Sequence, residues 1–300
     1  MYASIHLRRF LDFPFVRCQR SEKPSFLMAD QVQTHYGGAD DLADLIARSL
    51  RASGKNLDVL KTSDLSTVDV FHIRGRKATL ELGGHMELNE ESRILDIGSG
   101  LGGPARTLAE EYGCHVTGID LTEAFCEAAR SISKWVKLDG RVMFQQGDAT
   151  SLPFEDGQFD AAMTIHVAMN IPVKDRMYAE VKRVIKSGGV FAVYDVLKGE
   201  GGDVLFPVPW AREPSISHLA TCDEMEALLT QAGLEILQVH DSSEESHGWF
   251  RAMLDRMAET GPPPVTFQTF MGDDFPEMVR NQDRNLSDRR IRTVSFICKA

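Results

Sequence analysis

LDIGSGLGGPA, residues 95–105, is the stretch that decides the fold. An apolar run leads into it, the glycines Gly98, Gly100 and Gly102 follow at alternate positions, and a helix-forming segment comes after them. Because glycine has no Cβ, this pattern predicts a tight strand-to-helix turn whose backbone can approach a ligand closely. Gly98, Gly100 and Gly103 also fit the dinucleotide pattern G-x-G-x-x-G, and a simple turn without a ligand is a third interpretation.

On both sides of this loop, short apolar runs alternate with helical segments. Five strand signals lie in RILDIG, HVTGID, RVMFQQ, FDAAMTIH and GVFAVYDV, with helical patterns such as TEAFCEAARSISKWV between them. Such alternation predicts βαβ units and a parallel sheet with right-handed crossovers. Two later runs, LEILQVHD and RIRTVSFICKA, add strands, so we expect the sheet to occupy about 76–241 and 290–300.

The remaining segments predict a helical cap over the sheet. Leucine and isoleucine recur at helical spacing between Asp40 and Gly54, which indicates an amphipathic helix. A Gly- and Pro-rich loop at 197–221 and a mainly helical stretch at 242–289 interrupt the strand pattern. We expect 28–75 and both insertions to lie over the carboxyl ends of the strands, where parallel sheets bind ligands. Residues 1–27 are interpreted as an extension, because Met28 directly precedes the helix-like sequence.

Acidic residues stand at the ends of three successive predicted strands. Asp96 lies two residues before the first glycine, Asp120 ends the next strand, and Asp148 follows the third strand within Gly147-Asp148-Ala149. A carboxylate beside the glycine loop attracts a cationic ligand and repels a pyrophosphate. A carboxylate at the end of the second strand can accept from both hydroxyls of a ribose. The set therefore favours a positively charged nucleoside over a dinucleotide.

The series LDIGSGLGG, GIDLT, GDATSLPFEDGQFD and KRVIKSGGVFAVYD, spread over about 75–200, resembles the class I S-adenosylmethionine (SAM)-dependent methyltransferases. Within that family the chain is similar to the small-molecule branch that contains sarcosine/dimethylglycine, phosphoethanolamine and tocopherol-type enzymes. The resemblance implies a Rossmann-like α/β fold: a seven-stranded, mostly parallel sheet flanked by helices, with a helical cap. It also implies that 76–300 form the methyltransferase domain and that S-adenosylhomocysteine (SAH) is the product.

The resemblance further implies roles for particular residues. The glycines at 98, 100 and 102 would line the methionyl part of SAM, Asp96 would approach its ammonium, and Asp120 would hold its ribose. The other implied cofactor contacts are Leu121 on the adenine face, Asp148 and Ala149 on the adenine edge, His166 through its backbone, and Arg74 on the methionine carboxylate. Many relatives carry a histidine where this chain has Asn170, so no base is assigned to that position.

The acceptor site is predicted from residues that can move a proton or surround a cation. His166 is the candidate catalytic base, because a histidine can accept a proton near neutral pH. His72 is a second candidate, and the aromatic rings of Tyr36 and Trp210 could surround an ammonium. The alternative for each is a structural role in the core. An amine is the favoured acceptor, with phenols, quinols and carboxylates left open.

Composition excludes several other classes of function. The net charge of −11 disfavours binding to nucleic acid or to anionic membrane surfaces. No apolar run reaches the length of about 18 residues that a membrane helix needs. The five cysteines are scattered and none has zinc or redox spacing, so we expect reduced thiols, no metal site and a cytoplasmic location.

Two rival functions remain open at this stage. One is an NAD-dependent oxidoreductase, which the G-x-G-x-x-G spacing permits. The other is a regulatory protein that binds SAM without transferring its methyl group, because cofactor binding and turnover depend on different residues. The expected partner in every case is a small molecule, and the sequence does not predict an oligomeric state.

Overall fold

A seven-stranded sheet with the strand order β3-β2-β1-β4-β5-β7-β6 forms the centre of the molecule. The structure is a computed structural model and describes residues 42–261 and 271–300. The strands are β1 (Arg93–Ile97), β2 (His115–Asp120), β3 (Val142–Gln146), β4 (Phe159–Ile165), β5 (Ile185–Lys198), β6 (Glu235–Asp241) and β7 (Ile291–Lys299).

The first five strands are parallel, and β7 is antiparallel to both β5 and β6. Parallel strands need crossover connections; helices supply them after β1, β2 and β4, and a loop connects β3 to β4. The predicted seven-stranded, mostly parallel sheet is therefore confirmed. The direction in which successive strands are added reverses at β1, since β2 lies on one side of it and β4 on the other.

Helices cover both faces of this sheet. They are α1 (Leu42–Ala52), α2 (Ser66–Asp69), α3 (Gly75–Gly84), α4 (Gly103–Tyr112), α5 (Glu123–Trp135), α6 (Lys174–Val184), α7 (Cys222–Gln231), α8 (Ser243–Thr260) and α9 (Phe275–Ser287). The helical repeat predicted between Asp40 and Gly54 is confirmed by α1, whose Leu42, Ile46 and Leu50 are buried.

Two hydrophobic clusters form the core, one on each face of the sheet. Alternate residues of a strand point to opposite faces. Leu95 and Ile97 accordingly belong to one cluster and Ile94 belongs to the other. Because helices cover both faces, the central strands β1 and β4 are mostly apolar and are buried along most of their length.

The segment before the sheet is attached to it by a buried ion pair. The Arg106 guanidinium, on α4, donates to the Asp69 carboxylate at the end of α2 across 2.8 Å. Arg106 also donates to the Leu101 carbonyl and to the Ser133 hydroxyl. Both members of the pair are buried. This arrangement fixes the stretch 69–74 beside the glycine loop.

The two insertions between the last strands pack against each other and against the segment before the sheet. Trp210, Phe250, Leu286 and Ile73 share one buried cluster. The division of the chain into an extension, a cap segment and a methyltransferase domain with two insertions stays a prediction. Within 42–261 and 271–300, no helix has the length and apolarity required to cross a bilayer.

Candidate functional site

A cavity lies at the carboxyl ends of β1, β2, β3 and β4, where the strand order reverses. In open parallel sheets this edge is where ligands bind. The lining residues come from three regions: the segment before the sheet, the loops after the four strands, and the turn that precedes α6. The lining includes Val68, Asp69, Phe71, His72, Gly98, Ser99, Gly100, Leu101, Asp120, Leu121, Thr122, Phe125, Asp148, Ala149, Thr150, His166, Val167, Asn170, Ile171, Pro172 and Val173.

The glycine loop runs along one wall of this cavity. The backbone N–H groups of Gly98 and Ser99 donate to the Ile119 carbonyl at 2.8 and 3.0 Å, which ties the loop to β2. A Cβ on Gly98 would lie 2.3 Å from Val167, so this position requires glycine. Gly100 has a φ of +52° and no atom within 4 Å of the place where a Cβ would stand. Its open side is available to a ligand.

Asp120 connects the end of β2 to the glycine loop. Its Oδ2 accepts the Gly100 N–H at 2.8 Å, and its Oδ1 accepts the Thr122 N–H at 2.9 Å. Burial raises the pKa of Asp120 above its usual value, and hydrogen bonds from the backbone of Thr122, Gly100 and Leu121 and from the Thr122 side chain oppose that rise.

Asp96 lies in β1, two residues before Gly98, and is absent from the cavity lining. It is buried, and its Oδ2 has no hydrogen-bond partner among the described residues. Burial, together with the negative charge of Asp120, raises the pKa of Asp96 to about 7. Asp96 is thus outside the lining of the cavity, and its contact with the ammonium of SAM stays a prediction.

The ends of β2 and β3 supply the rest of this wall. Leu121, Asp148 and Ala149 all line the cavity. The Asp148 Oδ1 accepts the Thr150 N–H and the Thr150 hydroxyl, both at 2.8 Å, so the loop after β3 holds the carboxylate in place. The sequence-predicted residues Gly98, Gly100, Asp120, Leu121, Asp148 and Ala149 are thus brought together in one cavity.

Two histidines line the opposite wall. His166 follows β4 with a φ of +54°, and its backbone N–H donates to the Tyr194 carbonyl at 2.8 Å. The His166 Nε2 is buried without a hydrogen-bond partner among the described residues. The His72 ring is 6.0 Å from the His166 ring, and its Nε2 is 3.0 Å from the Gly75 carbonyl oxygen. Burial lowers the pKa of His72 to about 4 and that of His166 well below its usual value.

Three more of the predicted contact residues lie outside the lining of the cavity, and their roles stay predictions. Arg74 is outside the cavity lining, because its guanidinium pairs with Glu81 at 2.6 Å and Glu245 at 2.8 Å. Gly102 is also outside it, since a Cβ there would lie 2.4 Å from the Phe144 ring.

Trp210, the predicted aromatic contact for a substrate, is 2% exposed in the core of the insertions. Its indole N–H donates to Ser217 at 3.0 Å, so both its apolar surface and its polar atom are already used. Tyr36, the other predicted aromatic contact, lies outside the described residues.

Other residues of the site were not found from the sequence. Asp69 lines the cavity and pairs with Arg106, but a lone aspartate in a polar segment carries no pattern that predicts this. Asn170 also lines the cavity, and its Nδ2 donates to the carbonyls of Trp210 and Ile216 at 2.8 Å. The only hint in the sequence that position 170 belongs to the site is that many relatives carry a histidine where this chain has Asn170.

Comparison with known proteins agrees with this geometry. Residues 95–193 match a family model described as a methyltransferase domain. The chain is 31% identical over 225 residues to methyltransferase GfsG of Streptomyces halstedii, which covers 73% of this chain and 79% of that relative. The chain belongs to the class I SAM-dependent methyltransferases. A sterol 24-C-methyltransferase of Debaryomyces hansenii is 36% identical over 110 residues, but this chain covers only 29% of its length.

Solved structures share the fold of this methyltransferase. The [4+2]-cyclase SpnF has a TM-score of 0.66 and 22% identity, with 90% of this chain and 96% of that chain covered. Phosphoethanolamine N-methyltransferase 2 of Haemonchus contortus, in complex with phosphomonomethylethanolamine and SAH, also has a TM-score of 0.66. It is 19% identical, and the match covers 87% of this chain and 61% of that chain.

Proposed function

We propose that this chain transfers a methyl group from SAM to a small-molecule acceptor bound in the same cavity. The observation that carries the proposal is the Asp120 carboxylate, which lines the cavity while its Oδ2 accepts the Gly100 N–H at 2.8 Å. The carboxylate would accept from the ribose hydroxyls, and the glycine loop would run along the methionyl part. When bound, SAM supplies a methyl group activated by a positively charged sulfur.

The charges of the site support SAM over a dinucleotide. Asp120 and Asp148 line the cavity, and Asp96, whose buried Oδ2 has no hydrogen-bond partner among the described residues, lies in β1 two residues before Gly98. Negative groups around the loop attract the ammonium and the sulfonium of SAM and would repel a pyrophosphate. Leu121 would pack on the face of the adenine, and Ala149 would contact the adenine edge. This reasoning sets aside the NAD-dependent oxidoreductase as an alternative.

The protein's main contribution to methyl transfer would be alignment and the exclusion of water, because the leaving group is already activated. His166 would serve as the catalytic base. It lines the cavity, and its ring packs on Tyr194 with 4.9 Å between centroids. Its left-handed backbone, unusual for a residue other than glycine, requires support from its surroundings, and the hydrogen bond to Tyr194 supplies it.

Isothermal calorimetry on the full chain tests the cofactor assignment. SAH is expected to bind with a Kd in the micromolar range or below, and NAD is expected not to bind. Formation of SAH from SAM in the presence of a panel of amines, phenols, quinols and carboxylates then tests transfer. Binding of NAD without binding of SAH would overturn the proposal.

A His166→Asn variant tests the proposed base. Asparagine tolerates a left-handed backbone but cannot act as a base at neutral pH. We expect kcat to fall about 10²- to 10⁴-fold, the usual contribution of general acid–base catalysis, with SAH affinity within about threefold. An unchanged kcat would assign His166 a structural role.

The second candidate is a protein that binds SAM without transferring its methyl group. The observation that favours it is the similarity in fold to a structure named a [4+2]-cyclase. SAH binding combined with no transfer across the whole panel would favour this candidate over the first.

A further inference from the structure

The wall of the cavity formed by residues 170–173 lies apart from the proposed nucleoside end. Asp120 and Asp148 follow β2 and β3, whereas 170–173 follow β4, and β1 lies between β2 and β4 in the sheet. The proposed function leaves this end of the cavity to the acceptor. We therefore call 170–173, all of which line the cavity, the acceptor wall.

The first insertion, 197–221, is hydrogen-bonded to the acceptor wall through Asn170. All of 197–221 is described, and none of it lines the cavity. The Asn170 Nδ2 donates to the carbonyls of Trp210 and Ile216, both at 2.8 Å. An amide nitrogen carries two hydrogens, so one side chain can serve both carbonyls. Asn170 therefore joins the cavity lining to two points of the insertion.

Residues on either side of Asn170 add to this junction. The Met169 carbonyl accepts the His218 N–H at 2.7 Å. The Lys174 Nζ donates to the Ile171 carbonyl at 2.7 Å and also to the His218 carbonyl. Lys174 is buried, and a buried ammonium needs such acceptors. The acceptor wall and the end of the insertion thus form one hydrogen-bonded unit.

The insertion side of this junction is tightly packed. Met169, Trp210 and Ile216 belong to one buried hydrophobic cluster. The Trp210 indole N–H donates to Ser217 at 3.0 Å. Close-packed interiors resist small displacements and transmit strain to their neighbours. The location of the acceptor wall therefore depends on the packing of the insertion as well as on the sheet.

We propose that Asn170 is a positioning residue for the methyl acceptor: its amide fixes the acceptor wall to the first insertion, and the insertion thereby sets the shape of the acceptor end without lining it. This inference rests on the proposed function, which places the acceptor in this cavity. The consequence for methyl transfer is large, because a small displacement of a bound reactant from its productive geometry lowers the rate steeply.

Hydrogen–deuterium exchange of the full chain, read by mass spectrometry, tests the link in Asn170→Asp and Asn170→Ala. We expect peptides from 168–174 and 210–218 to exchange about tenfold faster in both variants, the effect of about one lost hydrogen bond. Aspartate keeps the shape of asparagine but places an oxygen opposite two carbonyl oxygens, so its effect should equal or exceed that of alanine. Wild-type exchange in Asn170→Asp with faster exchange in Asn170→Ala would mean that Asn170 only fills space, and would overturn the inference.

Asn281→Asp is the matched control. Asn281 is half-buried like Asn170, and its Nδ2 donates to the Pro207 carbonyl of the same insertion at 2.9 Å. Asn281 is not part of the cavity lining. We expect wild-type exchange of the peptides from 168–174 in this variant. Equal acceleration of those peptides by both aspartate variants would indicate a general loosening of the insertion and would overturn the inference.

A kinetic measurement separates positioning of the acceptor from support of the fold. The acceptor is the compound with the highest kcat/KM among the amines, phenols, quinols and carboxylates tested with the wild type. We expect Asn170→Asp to lower kcat/KM for this compound about tenfold, mainly through its KM, with SAH affinity within about threefold and Asn281→Asp close to the wild type.

The outcomes distinguish this inference from the proposed function. An unchanged KM for the acceptor in Asn170→Asp, or a loss of SAH affinity as large as the rise in that KM, would overturn the positioning role alone. No SAH binding by the wild type, or no methylation of any compound by it, would overturn the proposed function and this inference with it.

Discussion

Replacing Asp120 with asparagine removes the negative charge from the end of β2 while keeping the shape of the side chain. Its two carboxylate oxygens accept the N–H groups of Gly100 and Thr122 at 2.8 and 2.9 Å. The asparagine amide nitrogen cannot accept, so one of these backbone donors loses its partner. Loss of a charge-assisted hydrogen bond to the ribose costs about 1.5–3 kcal/mol. We therefore expect SAH affinity to fall by about 2 kcal/mol, roughly thirtyfold in Kd.

A comparison of two nucleosides shows whether the lost interaction involves the ribose. The wild-type chain is expected to bind adenosine about tenfold more tightly than 2′-deoxyadenosine, the effect of one hydroxyl contact. In Asp120→Asn this preference should shrink to about threefold or less. Asp139→Asn is the control, since Asp139 is exposed and not part of the cavity lining.

Two results would refute the reasoning about Asp120. One is an unchanged Kd for SAH in calorimetry, which would mean that the ribose lies elsewhere. The other is a full preference for adenosine over 2′-deoxyadenosine in the variant. Urea unfolding of each variant checks the fold, and we expect Asp120→Asn to lose about 1–3 kcal/mol through the unpaired backbone donor.

Three further substitutions test the loop and its supports. Gly98→Ala should reduce the free energy of unfolding in urea by about 2 kcal/mol or more, because its Cβ would lie 2.3 Å from Val167. A second change in the same chain, Val167→Ala, should restore part of the lost stability. No gain in stability from the second change would contradict the clash. Asp96→Asn should flatten the pH dependence of the free energy of unfolding. Because the pKa of Asp96 in the folded chain, about 7, exceeds the ordinary 3.8, the wild type loses up to about 4 kcal/mol of stability as pH rises from about 4 to 7. Equally steep pH profiles of stability for the wild type and the variant would argue against this. Asp69→Asn should lower the free energy of unfolding by about 3–5 kcal/mol, because it leaves the Arg106 charge buried and unpaired. A loss below about 1 kcal/mol in urea unfolding would mean that the pair is not buried.

The sheet and the nucleoside end of the cavity could be predicted because their signals are local. The glycine loop, the acid at the end of β2 and the Gly-Asp-Ala turn each lie within a few residues of a strand end. Carboxyl ends of parallel strands meet at one edge, so Asp120 and Asp148 were expected together and both line the cavity. Asp96 lies inside β1 and is absent from the lining, so its contact with the cofactor stays a prediction.

The predicted contact residues that lie outside the cavity lining are held by contacts between distant parts of the chain. Arg74 was assigned to a cofactor carboxylate, yet Glu81 and Glu245 balance its charge, and Glu245 lies on α8, far along the sequence. Trp210 was assigned to a substrate, but the packing of the two insertions buries it. Asp69 and Arg106 carry no local pattern, so only the three-dimensional structure reveals their pairing. The hydrophobic periodicity of a sequence predicts helices and strands, but it does not predict which side chains of different helices and strands contact each other.

A crystal structure of the full chain with SAH tests the central claim most directly, namely that the strand ends of this sheet hold SAM. The account predicts the ribose hydroxyls within hydrogen-bond distance of the Asp120 carboxylate, the adenine beside Leu121 and Ala149, and the methionyl part along Gly98 and Gly100. SAH bound away from Asp120, or a ribose held by other residues, would contradict it.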